Sequence, residues 1–158
     1  MIRKTLMIMG IWAAMAGPAA AEKAGAWTFD LNDDGGCYMG RELALPGGGT
    51  ASVEAFMGAK PPQIILTDST WKMPAGAASV DLWLGGKTDR AADLTARAQV
   101  KADEVGSYVV VDVSREFIAR LAASDVLTVR IAGRAPKSYP VGPAGEAGKL
   151  FFRCYDTL

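Results

Sequence analysis

The sequence predicts an all-β protein: an antiparallel β-sandwich or barrel of about eight strands, with two short helices late in the chain. Three observations carry this reading. Apolar and polar residues alternate in run after run between Trp27 and Ala132. Glycine and proline clusters interrupt those runs where hairpins need turns. Helical spacing occurs only twice, both times after Val113.

The first strand follows from Trp27, Phe29 and Leu31 alternating with Thr28 and Asp30. Asn32 to Gly36 (N-D-D-G-G) is turn chemistry, because Asn and Asp tolerate left-handed backbone and Gly adopts it freely. Cys37, Met39 and Leu43 then share a face of a second strand, with Arg41 an awkward polar member. After the Pro46–Gly49 turn, Ala51, Val53, Ala55 and Met57 mark a third strand. Pro61-Pro62 separates it from a short fourth, Gln63 to Thr67. Val80, Leu82 and Leu84 alternate in the fifth, which Gly85-Gly86 closes.

Leu94, Ala96, Ala98 and Val100 oppose Thr95, Arg97, Gln99 and Lys101, the pattern of a half-buried strand. Tyr108 to Val113 is valine-rich and reads as more central. Ser114 caps a short helix with Phe117, Ile118, Leu121 and Ala122 on one side. Val126 to Ala132 forms the eighth strand. In the closing stretch Ala147, Leu150, Phe151 and Cys154 fall at i, i+3, i+4 and i+7, one face of a second helix.

Residues 1–21 read as a secretory signal peptide. Arg3 and Lys4 are the basic region, Leu6 to Ala16 the apolar one, and Ala19-Ala20-Ala21 the small-residue cleavage site. The apolar run is short of the roughly 20 residues that span a bilayer, and no later run reaches that length. Residues 22–158 then form a single β-sandwich domain, expected in the periplasm or outside the cell. The mature chain carries a formal charge of −2, which argues against nucleic acid as a partner.

Cys37 and Cys154 are its two cysteines, and in an exported chain they read first as a structural disulfide. Two free thiols are the bland alternative. The chain contains no histidine, which removes Ser-His-Asp and Cys-His nucleophiles and nearly every catalytic zinc arrangement.

Four motif-like strings remain, each with a plain structural rival. Asp30-x-Asn32-x-Asp34-Gly35 opens like a calcium loop, but Arg41 stands where the closing glutamate belongs. Ser69-Thr70-Trp71-Lys72 matches S-x-x-K, yet Pro74 follows almost at once, so Ser69 and Thr70 are expected to shape a turn ahead of a packed Trp71. Gly86-Lys87-Thr88 lacks the earlier glycine of a phosphate loop, since Asp81 stands there. The acid pairs Asp33-Asp34 and Asp103-Glu104 are adjacent turn residues, which are usually only solvated charge.

Phe56, Trp71 and Trp83 either pack into a two-sided core or form an exposed aromatic patch that binds a partner. No catalytic residue, metal ligand or cofactor is expected.

Trp27 near the mature start, Trp71 between strands, the helix around Phe117 to Leu121 and the close Y-P-V-G-P-A-G-E-A-G-K-L-F-F-R-C belong together as a layout. That layout resembles the invasion-associated locus B family of small exported alphaproteobacterial proteins. The resemblance implies a β-rich periplasmic or surface protein linked to host-cell invasion, with no catalytic residues to carry over. The expected function is a non-enzymatic exported binding protein whose partner is a protein or envelope component. The competing expectation is a periplasmic inhibitor or immunity protein that occludes a cell-wall hydrolase or toxin.

Overall fold

The computed structural model describes residues 26–32, 35–58, 60–103 and 106–158. The expected signal peptide lies outside them, as do Asp33, Asp34 and Glu104.

Each alternating run becomes a strand: β1 (Thr28–Leu31), β2 (Cys37–Ala44), β3 (Thr50–Met57), β4 (Gln63–Asp68), β5 (Gly76–Leu84), β6 (Leu94–Ala102), β7 (Ser107–Asp112) and, after helix α1 (Arg115–Ala122), β8 (Leu127–Ile131). A short ninth strand, β9 (Lys137–Tyr139), and helix α2 (Gly145–Tyr155) complete the described chain. The sequence hides β9 because its three residues, between Pro136 and Pro140, are too few to show alternation. A short strand between prolines also makes an edge that resists further pairing.

All pairings are antiparallel and join the strands into one sheet, ordered β1-β2-β3-β4-β7-β6-β5-β8-β9 and curled into a half-barrel. The core therefore fills the curl of one sheet, the barrel form of the expected architecture, and not the gap between two stacked sheets. Register keeps apolar side chains on the inner face. One row runs Arg41, Val53, Leu66, Val109, Val100 across β2, β3, β4, β7 and β6. A one-residue slip would turn every strand inside out, so burial itself fixes that register. At the β1 edge the pattern fades: Trp27 is buried, Phe29 half-buried, and Leu31 is 61% exposed.

Both helices pack their apolar faces into the same core. Ser114 Oγ accepts the Phe117 N–H at 3.0 Å, so the predicted cap starts α1, and Phe117, Ile118 and Leu121 are buried. On α2 the buried face is Ala144, Gly148 and Phe151, with Ala147 and Cys154 half-buried. Leu150, expected on that face, is 38% exposed. The reason lies at Gly148, where an added Cβ would stand 3.1 Å from Ala144 Cβ and 3.7 Å from Ala122 Cβ. A glycine there lets α2 approach α1 closely, and the helix turns that side inward.

The two helices run antiparallel. The Arg115 guanidinium at the start of α1 lies over the rings of Phe152 and Tyr155, 5.2 and 5.8 Å from their centroids, and pairs with Asp156 at 2.8 Å.

Both ends of α2 are tied to the first strands. Cys37 and Cys154 form the disulfide, with Cα atoms 6.0 Å apart and positions 117 apart in sequence. Ahead of the helix, Trp27 Nε1 donates to the carbonyls of Val141 (3.0 Å) and Gly142 (2.8 Å), and Arg41 Nη1 donates to the Val141 carbonyl. The awkward inward arginine is thus a tether for the turn that launches α2. Gly142 has φ +56°, and a Cβ there would lie 2.8 Å from Arg41 Nη1.

Candidate functional site

Phe56, Trp71 and Trp83 do not form one exposed patch. Trp71 is 6% exposed and belongs to the core, where its ring meets Tyr139 edge-on at 6.4 Å. Trp83 sits on the outer face of β5 but is 3% exposed. Its Nε1 donates to the Arg90 carbonyl at 3.0 Å, and the Arg130 guanidinium covers its ring at 5.0 Å. Asp81 holds Arg130 in place at 2.5 Å, and hydrogen bonds from Thr95 and Arg130 keep the Asp81 carboxyl below the usual range. Only Phe56 stays half-buried on the outer face, its ring 5.0 Å from that of Tyr38 and tilted 53° to it.

Beside that aromatic pair lies a groove of about 990 Å³ across the outer faces of β2, β3 and β4. Its outward side chains are Thr28, Tyr38, Glu42, Thr50, Ser52, Glu54 and Thr67. Gly40 makes the furrow, because the Tyr38 phenol lies across it: a Cβ at position 40 would stand 2.7 Å from Tyr38 Cζ. Ser52 Oγ donates to Glu54 at 2.9 Å and lies 2.8 Å from Thr67 Oγ1, so the polar wall is hydrogen-bonded and ordered. Burial, followed by the carboxylates of Glu54 and Asp30, pushes the Tyr38 phenol above its ordinary pKa. The groove reaches the sheet edge. Among the described residues, β1 pairs with β2 only as far as Gly40, leaving Arg41–Ala44 without a partner strand on that side.

At one end of the half-barrel stands a second polar centre, around Asp68. Its carboxylate is fully buried and accepts from Thr70 N (2.8 Å), Thr70 Oγ1 (2.5 Å), Lys137 Nζ (2.5 Å) and Tyr139 OH (2.7 Å). Burial raises the Asp68 pKa, but the donors from Lys137, Thr70 and Tyr139 outweigh it, and the carboxyl ends below its usual value. Burial, reinforced by Asp68, raises Tyr139. The cluster bridges β4 to the far edge strand β9 and so ties the curl of the sheet. A pocket of about 270 Å³ opens beside it, lined by Thr70, Trp71, Val129, Ile131, Arg134, Ala135 and Lys137.

The motif-like strings resolve as turns where they are described. Asn32 Oδ1 accepts the Gly36 N–H at 2.6 Å and Asp30 Oδ1 the Leu31 N–H at 2.8 Å, while Asp34 of the calcium-like string lies outside the described residues. Ser69 Oγ accepts from Thr50 N at 3.0 Å and the Trp71 N–H bonds to the Asp68 carbonyl at 2.8 Å, the expected turn before a packed tryptophan. Gly86 to Thr88 is loop. Asp103 Oδ1 accepts the Gly106 N–H at 3.0 Å; its neighbour Glu104, like the pair Asp33-Asp34, lies outside the described residues.

Sequence reasoning missed Tyr38, Glu42, Glu54 and the Asp68 cluster. The signal for the groove was present: a glycine inside a strand pattern marks a close approach. The signal for Asp68 was an acid on the inward parity of β4, two residues beyond Leu66.

The fold is similar to the crystal structure of invasion associated protein B from Bartonella henselae, with a TM-score of 0.59 and 14% identity over 85% of this chain and 97% of that one. At that identity the likeness establishes the fold alone. No family model matches the chain, and no curated protein matches it.

Proposed function

We propose that this chain is an exported protein of the bacterial envelope that works by binding a protein or envelope component, without catalysing a reaction. The observation that carries the reading is the groove over Gly40: a hydrogen-bonded, solvent-facing furrow walled by Tyr38, hydroxyls and two carboxylates, with Phe56 packed against Tyr38 beside it. Convergent polar groups beside an aromatic surface are what a specific binding site needs. The Cys37–Cys154 disulfide supports an oxidising destination, hence removal of residues 1–21 and a periplasmic or secreted mature chain. Among the described residues no helix is long and apolar enough to cross a membrane. Invasion associated protein B shares the fold, and we extend its association with invasion to this chain as part of the proposal.

The test has two arms. N-terminal sequencing of the protein recovered from periplasm and medium should begin at Glu22; an uncleaved chain retained in the cytoplasm contradicts export. Capture from envelope extract should yield a partner that wild type retains and a folded Phe56→Ala or Tyr38→Ala variant does not. A captured molecule that is chemically converted on incubation contradicts a binding-only role.

A further inference from the structure

The pocket beside Asp68 is separate from the groove and differs from it in chemistry. We propose that it binds an oxyanion, a carboxylate or phosphate group carried on a small apolar body. Two of its lining side chains are cationic, Arg134 and Lys137. Buried Asp68 neutralises Lys137 at 2.5 Å, whereas Arg134 has no carboxylate partner among the described residues. The pocket therefore keeps one uncompensated positive charge.

Its donors are held in place before any ligand arrives. Arg134 Nη2 donates to the Lys72 carbonyl at 2.9 Å, which fixes the guanidinium and leaves most of its five N–H groups unused. Lys137 Nζ spends two donors on Asp68 and Thr70, at 2.5 and 3.2 Å, and keeps a third. Arginine forks and ammonium donors suit carboxylate and phosphate oxygens, and fixed donors lose little entropy on binding. Trp71, Val129 and Ile131 give the pocket an apolar floor. The volume of about 270 Å³ limits the ligand to a small molecule or a single end group.

The experiment is a titration of the mature chain, residues 22–158, which holds three of the four tryptophans, followed by their indole N–H signals. Trp27 and Trp83 are internal controls, since their indoles are bonded elsewhere, to Val141 and Gly142 and to Arg90. Phenyl phosphate and benzoate are the probes, with inorganic phosphate and phenol as comparisons. The proposal requires a saturable shift confined to Trp71, tighter for phenyl phosphate or benzoate than for either comparison; the tighter of the two probes names the anionic group. Arg134→Gln should weaken that binding about tenfold and leave the melting temperature unchanged, because Arg134 is exposed. No saturable shift, equal shifts at all three indoles, phenol binding as tightly as the anions, or Arg134→Gln binding like wild type would each overturn it.

Discussion

Removing the Asp68 carboxylate should loosen the protein more than any other single polar change. In Asp68→Ala the Tyr139 hydroxyl, on a side chain 2% exposed, loses its partner inside the core. A stranded buried donor costs about 1–3 kcal/mol. The two bonds from Thr70, which shape the turn after β4, contribute about 1 kcal/mol more together. Lys137 is 38% exposed and regains water, so its ion pair counts for no more than about 1 kcal/mol. The sum is about 2–5 kcal/mol, a large part of the roughly 5–15 kcal/mol that holds a domain together. Urea unfolding of the oxidised protein, followed by far-UV circular dichroism, measures it. Asp68→Asn keeps the shape and should lose about half as much.

The pH dependence supplies a second reading of the same residue. The Asp68 pKa is lowered in the folded state, so its contribution is complete above the unfolded value of roughly 3.9 and disappears as pH falls through the folded value. Asp68→Asn should therefore flatten the acid limb of the stability curve while leaving its neutral limb parallel to wild type. A loss below about 1 kcal/mol for Asp68→Ala, with an unchanged acid limb, would refute the view that this cluster ties the curl of the sheet.

Cys154→Ser should destabilise the protein by about 2–5 kcal/mol, read as a lower unfolding midpoint that vanishes when both proteins are reduced. Gly148→Leu should drive α2 off α1 and cost about 1–3 kcal/mol in the same assay, whereas Leu150→Ala should cost far less. Calcium at millimolar concentration should leave the melting temperature of wild type where chelator leaves it, because Arg41 occupies the closing position of the calcium-like string and points to Val141; a clear rise would contradict the turn assignment.

Much of the fold was legible because burial on one face of a strand imposes a period of two. Most of the eight strands could be read from that alternation, Gln63 to Thr67 and Tyr108 to Val113 from short apolar or valine-rich runs, and the Ser114-capped helix from its cap and its helical spacing. What escaped was non-local. Leu150 obeyed helical spacing, yet the contact that orients α2 is made by Gly148 against Ala122, a residue 26 positions away that no local window contains. Trp71 and Trp83 were ambiguous because aromatic side chains serve core and interface alike. Their fates were decided by Tyr139 for the first, and by Arg130 and the Arg90 loop for the second. Asp68 falls just past the expected end of the fourth strand at Thr67, and its donors on β9 lie about seventy residues further on. The groove was half legible: Phe56 marked its neighbourhood, but its floor is a missing side chain at Gly40.

The most direct measurement is the affinity of the purified partner for groove variants that remain folded. Tyr38→Ala removes the ring over Gly40, and Glu42→Lys reverses an exposed charge on the wall. Arg153→Ala, on the exposed side of α2, serves as the control. If the groove is the binding surface, the two groove variants should bind at least about tenfold more weakly and the control should match wild type. Equal affinity across all four proteins would contradict the account.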